Sequence, residues 1–366
     1  MKANKVLDSI KNYEAGLPIE LVVRQFGIEA KDVVKLASNE NPKGTNPSVA
    51  KAIASSSHKA HLYPDDSMYE LKEGLSSKYS VESSNIIIGA GSDQVLEFIS
   101  RAFLDEDSKV LMSRVTFAMY EIYAKQMGAT IVRTPSYEHK VDEFVEAYRE
   151  HNPKIVYICT PNNPTGDAIA KDDVLEIISS VSSDTLVVVD GAYMEYAIAK
   201  DSSYAIYPKD ILDYPNVIYL GTFSKAYGLG GMRVGYGIAN KNLISTLSKL
   251  RPPFNISTLS LLSAIEALKD ESFVDESIAL HQREIRRYEK FAKEHNIEYI
   301  DSYTNFITYL FDDTKESTKI AEALLKKGVI IRNLASYGMN AIRVTVGTAE
   351  QNSRFFELFL EELTDG

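Results

Sequence analysis

Short apolar runs alternate with amphipathic segments over residues 86–238 of the chain. A continuous apolar run is typical of a strand that is buried on both faces, and the segments between the runs have helical spacing. Regular alternation of this kind predicts an α/β domain with a mostly parallel sheet flanked by helices. Seven strands are predicted, at residues 86–88, 109–112, 130–133, 155–159, 186–189, 217–220 and 234–238.

The pattern changes after residue 250, where Arg251-Pro252-Pro253 interrupts the alternation. A long helical pattern covers residues 258–295, with a break expected near Asp270. Strand-like and helical segments then follow and predict a smaller α+β unit; the strands are at 306–311, 329–332 and 342–346, and the helices at 316–327 and 350–363. We therefore expect an N-terminal segment (1–38) that packs with the small domain, a large domain (39–255), and a linking helix with the small domain (256–366).

Composition narrows the function classes. The 366 residues include 40 basic and 51 acidic side chains, a net charge of −11 without a long basic run, so no nucleic-acid partner is expected. No stretch approaches the roughly 18 apolar residues of a membrane span, and no metal site is predicted. Cys159 is the single cysteine, which fits a reducing compartment and predicts a cytoplasmic location. It lies in an apolar run, which predicts a packed thiol.

Candidate chemistry is concentrated after the strand at 217–220, where two hydroxyl residues, Thr222 and Ser224, precede Lys225 and lead to Arg233. A lysine that follows a strand is normally a solvated loop charge. Here the intervening glycines allow the backbone to approach a ligand closely. An amine, two hydroxyls and a guanidinium can bind one phosphorylated aldehyde, the amine as a Schiff base and the other groups around the anion.

A second candidate is the segment GAGSDQ at residues 89–94, which follows the first strand and opens a helix. Free backbone amides at a helix N-terminus bind phosphate. The segment is not a dinucleotide fingerprint, because Gln94 stands where glycine is required and no acidic residue ends a strand about 20 positions later. An ordinary capped helix start remains the alternative at this point.

Further polar and aromatic groups follow other strands. Phe117 and Tyr120 could stack on a planar ring or simply pack in the core. The turn PNNPTG at 161–166 presents an amide side chain, and its Asn163–Pro164 bond is a candidate cis peptide. Asp190 ends the apolar run 186–189, where a carboxylate is costly to bury unless a cation such as a protonated pyridine nitrogen meets it. Since parallel sheets bind ligands at the carboxyl ends of their strands, this set of groups points to pyridoxal phosphate.

With these motifs the chain resembles the fold-type I pyridoxal-phosphate aminotransferases over nearly its full length. Within that family it is most similar to the branch that interconverts histidinol phosphate and 2-oxoglutarate with imidazole-acetol phosphate and glutamate. The segments that carry the resemblance include KLASNENPKG at 35–44, PNNPTG at 161–166, VVVDGAY at 187–193, TFSKAYGLGGMRVGY at 222–236 and IRVTVGT at 342–348.

The resemblance implies a role for each cofactor-binding residue. Lys225 would bind the cofactor aldehyde and act as the general base, and Asp190 would pair with the pyridine nitrogen. Asn163 and Tyr193 would bind the ring hydroxyl, with Tyr193 among the catalytic residues. Phe117 would lie against the ring, although many relatives have tyrosine there. The phosphate ligands would be Ser92, Asp93, Thr222, Ser224 and Arg233.

The same resemblance implies the substrate contacts. Arg343, assisted by Asn41, would hold the α-carboxylate of glutamate in a bidentate pair. Tyr13 and Arg332 would receive the phosphate of histidinol phosphate. Tyr63 would reach the cofactor phosphate of a partner subunit, which implies a homodimer with shared active sites.

Other activities remain open at this point. An aromatic amino acid aminotransferase has a similar site for planar rings, and a threonine-phosphate decarboxylase belongs to the same lineage. Transcription regulators also use this fold, but they carry a DNA-binding unit in front of it. Only about 35 residues precede Ser38 here, which disfavours a regulator.

Overall fold

The structure, a computed structural model, describes residues 5–10 and 16–364. The described strands form three sheets. In chain order they are β1 (Val34–Lys35), β2 (Ile86–Gly89), β3 (Lys109–Met112), β4 (Thr130–Arg133), β5 (Ile155–Cys159), β6 (Leu186–Asp190), β7 (Val217–Thr222), β8 (Gly235–Ala239), β9 (Glu298–Ile300), β10 (Phe306–Leu310), β11 (Val329–Ile330), β12 (Arg332–Asn333) and β13 (Ala341–Thr345).

The helices have lengths typical of a globular α/β protein. In chain order they are α1 (Ile19–Phe26), α2 (Pro47–Ser56), α3 (Tyr69–Tyr79), α4 (Ser92–Phe103), α5 (Ala118–Gln126), α6 (Val141–His151), α7 (Lys171–Ser180), α8 (Met194–Lys200), α9 (Pro208–Ile211), α10 (Lys241–Ser248), α11 (Thr258–Leu268), α12 (Ser272–Glu294), α13 (Ser317–Lys326) and α14 (Ala349–Thr364). The break predicted near Asp270 is present, because α11 ends two residues before it and α12 begins two residues after it.

The large sheet has the strand order β2-β8-β7-β6-β5-β3-β4. Only β8 runs antiparallel to its neighbours, so the other six strands point the same way. The predicted fold class, a mostly parallel seven-stranded sheet between helices, is therefore confirmed. Each predicted strand overlaps one of these seven strands.

Alternate residues of the central strands enter two separate cores. On β6, Val187 and Val189 pack with α3, α6, α7, α8 and α11 on one face of the sheet, whereas Leu186 and Val188 pack with α4, α5 and α10 on the other. Burial on both faces explains why these strands are continuous apolar runs in the sequence.

The smaller sheet is antiparallel, with the order β12-β13-β10-β9. Aromatic side chains of α12 and α14 pack on it, among them Tyr288, Phe355 and Phe359. The segment 329–332, predicted as one strand, is divided: Val329 and Ile330 pair with β1, while Arg332 joins β13. The prediction of one strand is wrong because the chain changes its pairing partner at Ile331.

None of the described helices is long and apolar enough to cross a lipid bilayer. Within the same described ranges, 5–10 and 16–364, the acidic, histidine and cysteine side chains form no group that could hold a metal ion.

Candidate active site

A cavity of about 320 Å³ lies at the carboxyl ends of the large sheet's strands and extends to β12 and β13 of the small sheet. The structure brings most of the predicted site residues together in its walls. Those that line it are Ser92, Asp93, Phe117, Asn163, Asp190, Tyr193, Thr222, Ser224, Lys225, Arg233, Arg332 and Arg343. These residues come from two of the predicted segments, 39–255 and 256–366, which the fold brings to one cavity.

Lys225 follows the end of β7, and its ammonium group lies inside the cavity. Its Nζ donates a hydrogen bond to the Ser38 carbonyl (3.3 Å) and lies 5.6 Å from the centre of the Tyr193 ring. Burial lowers the pKa of Lys225 to about 8, and repulsion from Arg343 and Arg233 contributes to the same shift. A much larger fraction of this lysine is therefore a neutral, nucleophilic amine near neutral pH than is usual.

Asp190 is the last residue of β6 and is buried. Its Oδ2 accepts a hydrogen bond from the Tyr120 hydroxyl (2.7 Å), and its Oδ1 accepts one from the Ala192 amide (3.1 Å). Burial raises the pKa of Asp190, and these two donors oppose the shift. Among the described residues no basic side chain forms an ion pair with this carboxylate, so a protonated ring nitrogen in the cavity would supply the missing cation.

The N-terminus of α4 and the Arg233 guanidinium form a cradle that fits a phosphate. A Cβ added at Gly91 would lie 2.6 Å from Arg233 Nη2, and one at Gly235 would lie 2.1 Å from the Ser92 amide nitrogen. Arg233 donates to Ser224 Oγ (3.4 Å). The cradle therefore exists only because two glycines leave space, and it offers amides, a hydroxyl and a cation to an anion.

The Asp93 carboxylate is hydrogen-bonded to a neighbouring tyrosine. Its Oδ2 accepts a hydrogen bond from Tyr123 (2.9 Å), and burial raises the pKa of this carboxyl group. Any contribution of Asp93 to an anion site would therefore come from its backbone amide.

The predicted ring contacts lie on both sides of the cavity. Phe117 precedes α5 and packs edge-on against Tyr120, with ring centres 5.6 Å apart. The Asn163–Pro164 bond is cis, as the sequence predicts, and Asn163 Oδ1 accepts a hydrogen bond from Arg343 (2.5 Å). A planar ligand would meet an apolar ring, an amide and a phenol here.

Arg343 connects the two sheets. It lies on β13, and its second guanidinium nitrogen donates to the Ala37 carbonyl (2.7 Å) while the group lies over the Phe306 ring. Arg332 is its direct neighbour on β12 and lines the same cavity. Two guanidinium groups at one end of the cavity can receive anionic parts of a substrate.

Two of the predicted residues, Asn41 and Tyr63, are not in the cavity wall. Asn41 is turned away, and its amide donates to the Ala226 carbonyl (2.9 Å) and to Ser277 (3.0 Å), whereas Asn39 of the same corner lines the cavity. Tyr63 is 82% exposed and stacks on Phe254, outside the cavity of its own chain. Tyr13 lies outside the described residues.

Sequence reasoning missed Ser38, Asn39 and Tyr337, which also line the cavity. Ser38 and Asn39 belong to the same polar corner as Asn41, and the local sequence does not tell which asparagine turns inward. Asn39 adopts a positive φ of 55°, a conformation in which asparagine is enriched among non-glycine residues. This preference of asparagine for a positive φ was the one signal in the sequence that could have indicated Asn39.

Comparison with known proteins identifies relatives over the whole chain. The family model for aminotransferase class I and II matches residues 31–359. A histidinol-phosphate aminotransferase of Sulfurovum sp. (strain NBC37-1) is 71% identical over 364 residues, which is 100% of both chains. The histidinol-phosphate aminotransferase of Sulfurimonas denitrificans is 58% identical over 99% of this chain and 100% of its own length.

A solved structure has the same architecture. The crystal structure of histidinol-phosphate aminotransferase from Sinorhizobium meliloti, in complex with pyridoxal-5'-phosphate, superposes with a TM-score of 0.90 at 25% identity. The match covers 100% of this chain and 98% of that one.

Proposed function

Because the chain belongs to the aminotransferase class I and II family, we infer that it is a pyridoxal-phosphate-dependent transaminase. It interconverts histidinol phosphate and 2-oxoglutarate with imidazole-acetol phosphate and glutamate, a reaction of histidine biosynthesis. The observation that carries this function is the 71% identity to a histidinol-phosphate aminotransferase over the full chain. The cavity supports it, because an amine of lowered pKa, a buried carboxylate and three guanidinium groups line one space.

We assign the cofactor contacts as follows. Asp190 holds the pyridine nitrogen, Phe117 lies against the ring, and Asn163 and Tyr193 bind the ring hydroxyl. The phosphate is held by Ser92, Asp93, Thr222, Ser224 and Arg233. When bound, pyridoxal phosphate supplies an aldehyde that accepts an amino group and a protonated ring that withdraws electrons from the reacting carbon.

Lys225 has two tasks in this assignment. Its neutral amine would hold the cofactor by its aldehyde until an amino substrate takes its place. The freed amine would then act as the general base that takes the proton from the substrate α-carbon, and as the general acid that returns it. Asp190 would hold the ring nitrogen in its protonated form, in which the ring withdraws electrons from the reacting carbon.

Arg343 and Arg332 are the proposed substrate contacts. Arg343 exchanges its contact with Asn163 for the α-carboxylate of glutamate, which it holds with two parallel hydrogen bonds. Histidinol phosphate has no carboxylate, and Arg332 receives its phosphate, together with Tyr13. Adjacent positions on β12 and β13 allow one cavity to accept both anions in turn.

We also propose that the enzyme is a cytoplasmic homodimer. Tyr63 and Phe254 stack on the surface rather than packing inside their own chain, which suits a subunit contact that delivers Tyr63 to the partner's cofactor phosphate. In a reducing compartment the buried Cys159 remains a thiol.

A half-reaction titration tests the function. Purified enzyme that carries the cofactor is mixed with histidinol phosphate in the absence of 2-oxoglutarate, and the cofactor absorbance is followed. We expect rapid conversion to the amino form of the cofactor, and slower conversion with phenylalanine or tyrosine. The Lys225→Ala variant is the control and should neither form the lysine-bound absorbance nor turn over. Faster conversion with the unphosphorylated aromatic amino acids would instead identify an aromatic aminotransferase.

A further inference from the structure

We propose that Asn39 is a positioning residue that fixes the direction of the Tyr193 hydroxyl. Its amide group compels Tyr193 to donate its own hydrogen bond into the cavity rather than to the protein. This inference rests on the proposed function, in which Tyr193 binds the ring hydroxyl of the cofactor. It assigns a role to Asn39 and Thr345, two buried residues that are hydrogen-bonded in series to Tyr193 and are not among the proposed cofactor contacts.

The backbone of Asn39 is held by the small domain. The residue is buried, and its amide nitrogen donates to Thr345 Oγ1 (2.9 Å) while its carbonyl accepts from the Asn305 side chain (3.0 Å). Its positive φ of 55° also limits the substitutions that keep the same backbone. The backbone of Asn39 is therefore held in place. What is still to be explained is the orientation of its side-chain amide group.

Thr345 determines that orientation. Its hydroxyl oxygen accepts the Asn39 backbone hydrogen, so the single hydroxyl hydrogen is available to donate to Asn39 Oδ1 (3.1 Å). An amide oxygen can only accept and an amide nitrogen can only donate. In the structure Asn39 Oδ1 faces Thr345, where it accepts that hydrogen, and Nδ2 faces Tyr193.

This orientation of Asn39 determines where the Tyr193 hydroxyl can donate its hydrogen bond. Asn39 Nδ2 lies 2.9 Å from Tyr193 Oη, which is the only hydrogen bond of this hydroxyl within residues 5–10 and 16–364. Since Nδ2 is a donor, Tyr193 Oη is the acceptor, and its one hydrogen must point elsewhere. The ring is buried and held edge-on by Phe306, with centres 5.5 Å apart, so the hydrogen is directed to the cavity that Tyr193 lines.

A Tyr193 hydroxyl that always donates into the cavity can stabilise the ring oxygen of the cofactor. The ring oxygen of the cofactor carries negative charge, and a hydrogen bond donated to it spreads that charge. Arg343 precedes Thr345 by two residues on β13, so the strand that presents the substrate arginine also supports Asn39. An amide that was free to turn would let Tyr193 donate to the protein for part of the time.

The test uses the visible absorbance of the bound cofactor, titrated against pH, and the dissociation constant of the cofactor measured on cofactor-free protein. Asn39→Asp replaces the donor with an acceptor, to which Tyr193 would donate. The ring oxygen then keeps more negative charge, so we expect the midpoint of the titration to rise by about 1 pH unit and the cofactor to bind more weakly.

Two further variants separate orientation from added charge. Thr345→Val removes the hydroxyl at nearly constant volume and should move the midpoint in the same direction, whereas Thr345→Ser keeps the hydroxyl and should not. The two Thr345 variants carry the test if Asn39→Asp fails to fold, because they change what orients the Asn39 amide without changing Asn39 itself.

Each change is repeated in a Tyr193→Phe background. If Asn39 acts through Tyr193, the shifts caused by changes at residues 39 and 345 should vanish when the phenol is absent. Equal shifts in both backgrounds, or no shift with the tyrosine present, would overturn the proposal. Failure of the proposed function would look different, because the unmodified enzyme would then show no lysine-bound cofactor absorbance at all.

Discussion

At the scale of single residues, the pKa of Lys225 determines the pH range in which the site can react. Burial lowers its pKa to about 8 from the ordinary value of 10.5, with repulsion from Arg343 and Arg233 as further causes. Only the neutral amine attacks an aldehyde, and its fraction at a given pH increases when the pKa falls. Reactivity is therefore present above about pH 8 and is lost as the pH falls below it.

We predict that cofactor uptake by cofactor-free enzyme accelerates through about pH 8 and then levels off. In the Arg343→Ala variant the midpoint should move to higher pH, because a repelling charge is removed from Lys225. Stopped-flow absorbance measures the rate, and Arg287→Gln, a change at a salt bridge with Glu284 in the small domain, is the control. A midpoint near 10.5 in the unmodified enzyme would contradict the lowered pKa.

A second prediction separates the two arginines. Arg343→Lys keeps the charge but loses the planar pair of donors, so KM for glutamate should increase by about 10- to 100-fold, the equivalent of about 1.5–3 kcal/mol. Arg332→Lys should affect KM for histidinol phosphate more than KM for glutamate. Steady-state kinetics with both substrates measures this difference. Equal effects of both variants on both substrates would show that the anions share one contact.

At the scale of elements, the start of α4 depends on the strand beside it. Gly235 begins β8, and its Cα lies so close to the Ser92 amide that a Cβ would come within 2.1 Å. The contact is with backbone, which cannot move aside as a flexible side chain can. Strand β8 thereby sets the position of the amides that face the phosphate.

We expect Gly235→Ala to displace this helix start and weaken cofactor binding by at least about tenfold, with about 1–3 kcal/mol of lost stability from overpacking. Gly231→Ala is the matched control, because a Cβ there meets nothing within 4 Å. Fluorescence titration gives the affinity and urea unfolding gives the stability. The explanation fails if both variants bind the cofactor equally well.

At the scale of the whole molecule, several large apolar side chains remain on the surface. Leu62, Tyr63, Tyr69 and Phe254 are all exposed, and Tyr63 and Phe254 stack with ring centres 4.6 Å apart. Exposed aromatic side chains in contact with each other are typical of protein interfaces. We propose that these four residues belong to the dimer interface.

Tyr63→Phe should weaken cofactor binding, although Tyr63 does not line the cavity of its own chain, because the proposed dimer places its hydroxyl at the partner's phosphate site. Loss of one hydrogen bond to a charged group corresponds to about 1.5–3 kcal/mol, or about a tenfold to hundredfold change in the dissociation constant. Tyr69→Phe, a neighbouring exposed tyrosine, should bind normally. Sedimentation should find both variants dimeric, and a monomeric unmodified enzyme would contradict the shared site.

Local patterns in the sequence were enough to predict the large sheet and most of the cavity wall. Burial on both faces makes strands such as β6 continuous apolar runs, and parallel strands bring the residues that follow them, such as Asp190 and Lys225, to one edge. The strands follow from the local pattern of apolar residues, and the position of the site follows from the rule that parallel sheets bind ligands at the carboxyl ends of their strands. The resemblance to known aminotransferases then assigned the roles.

Three features could be read only from the folded chain: which asparagine of the Ser38–Asn41 corner faces the cavity, where the segment 329–332 divides, and how far the pKa of Lys225 falls. Each of these depends on residues that are distant in the chain: Asn39 is held by Thr345, β11 pairs with β1, and Arg343 repels Lys225. A local pattern records burial and turn preference, but hydrogen bonds and charges between distant segments exist only after the chain has folded.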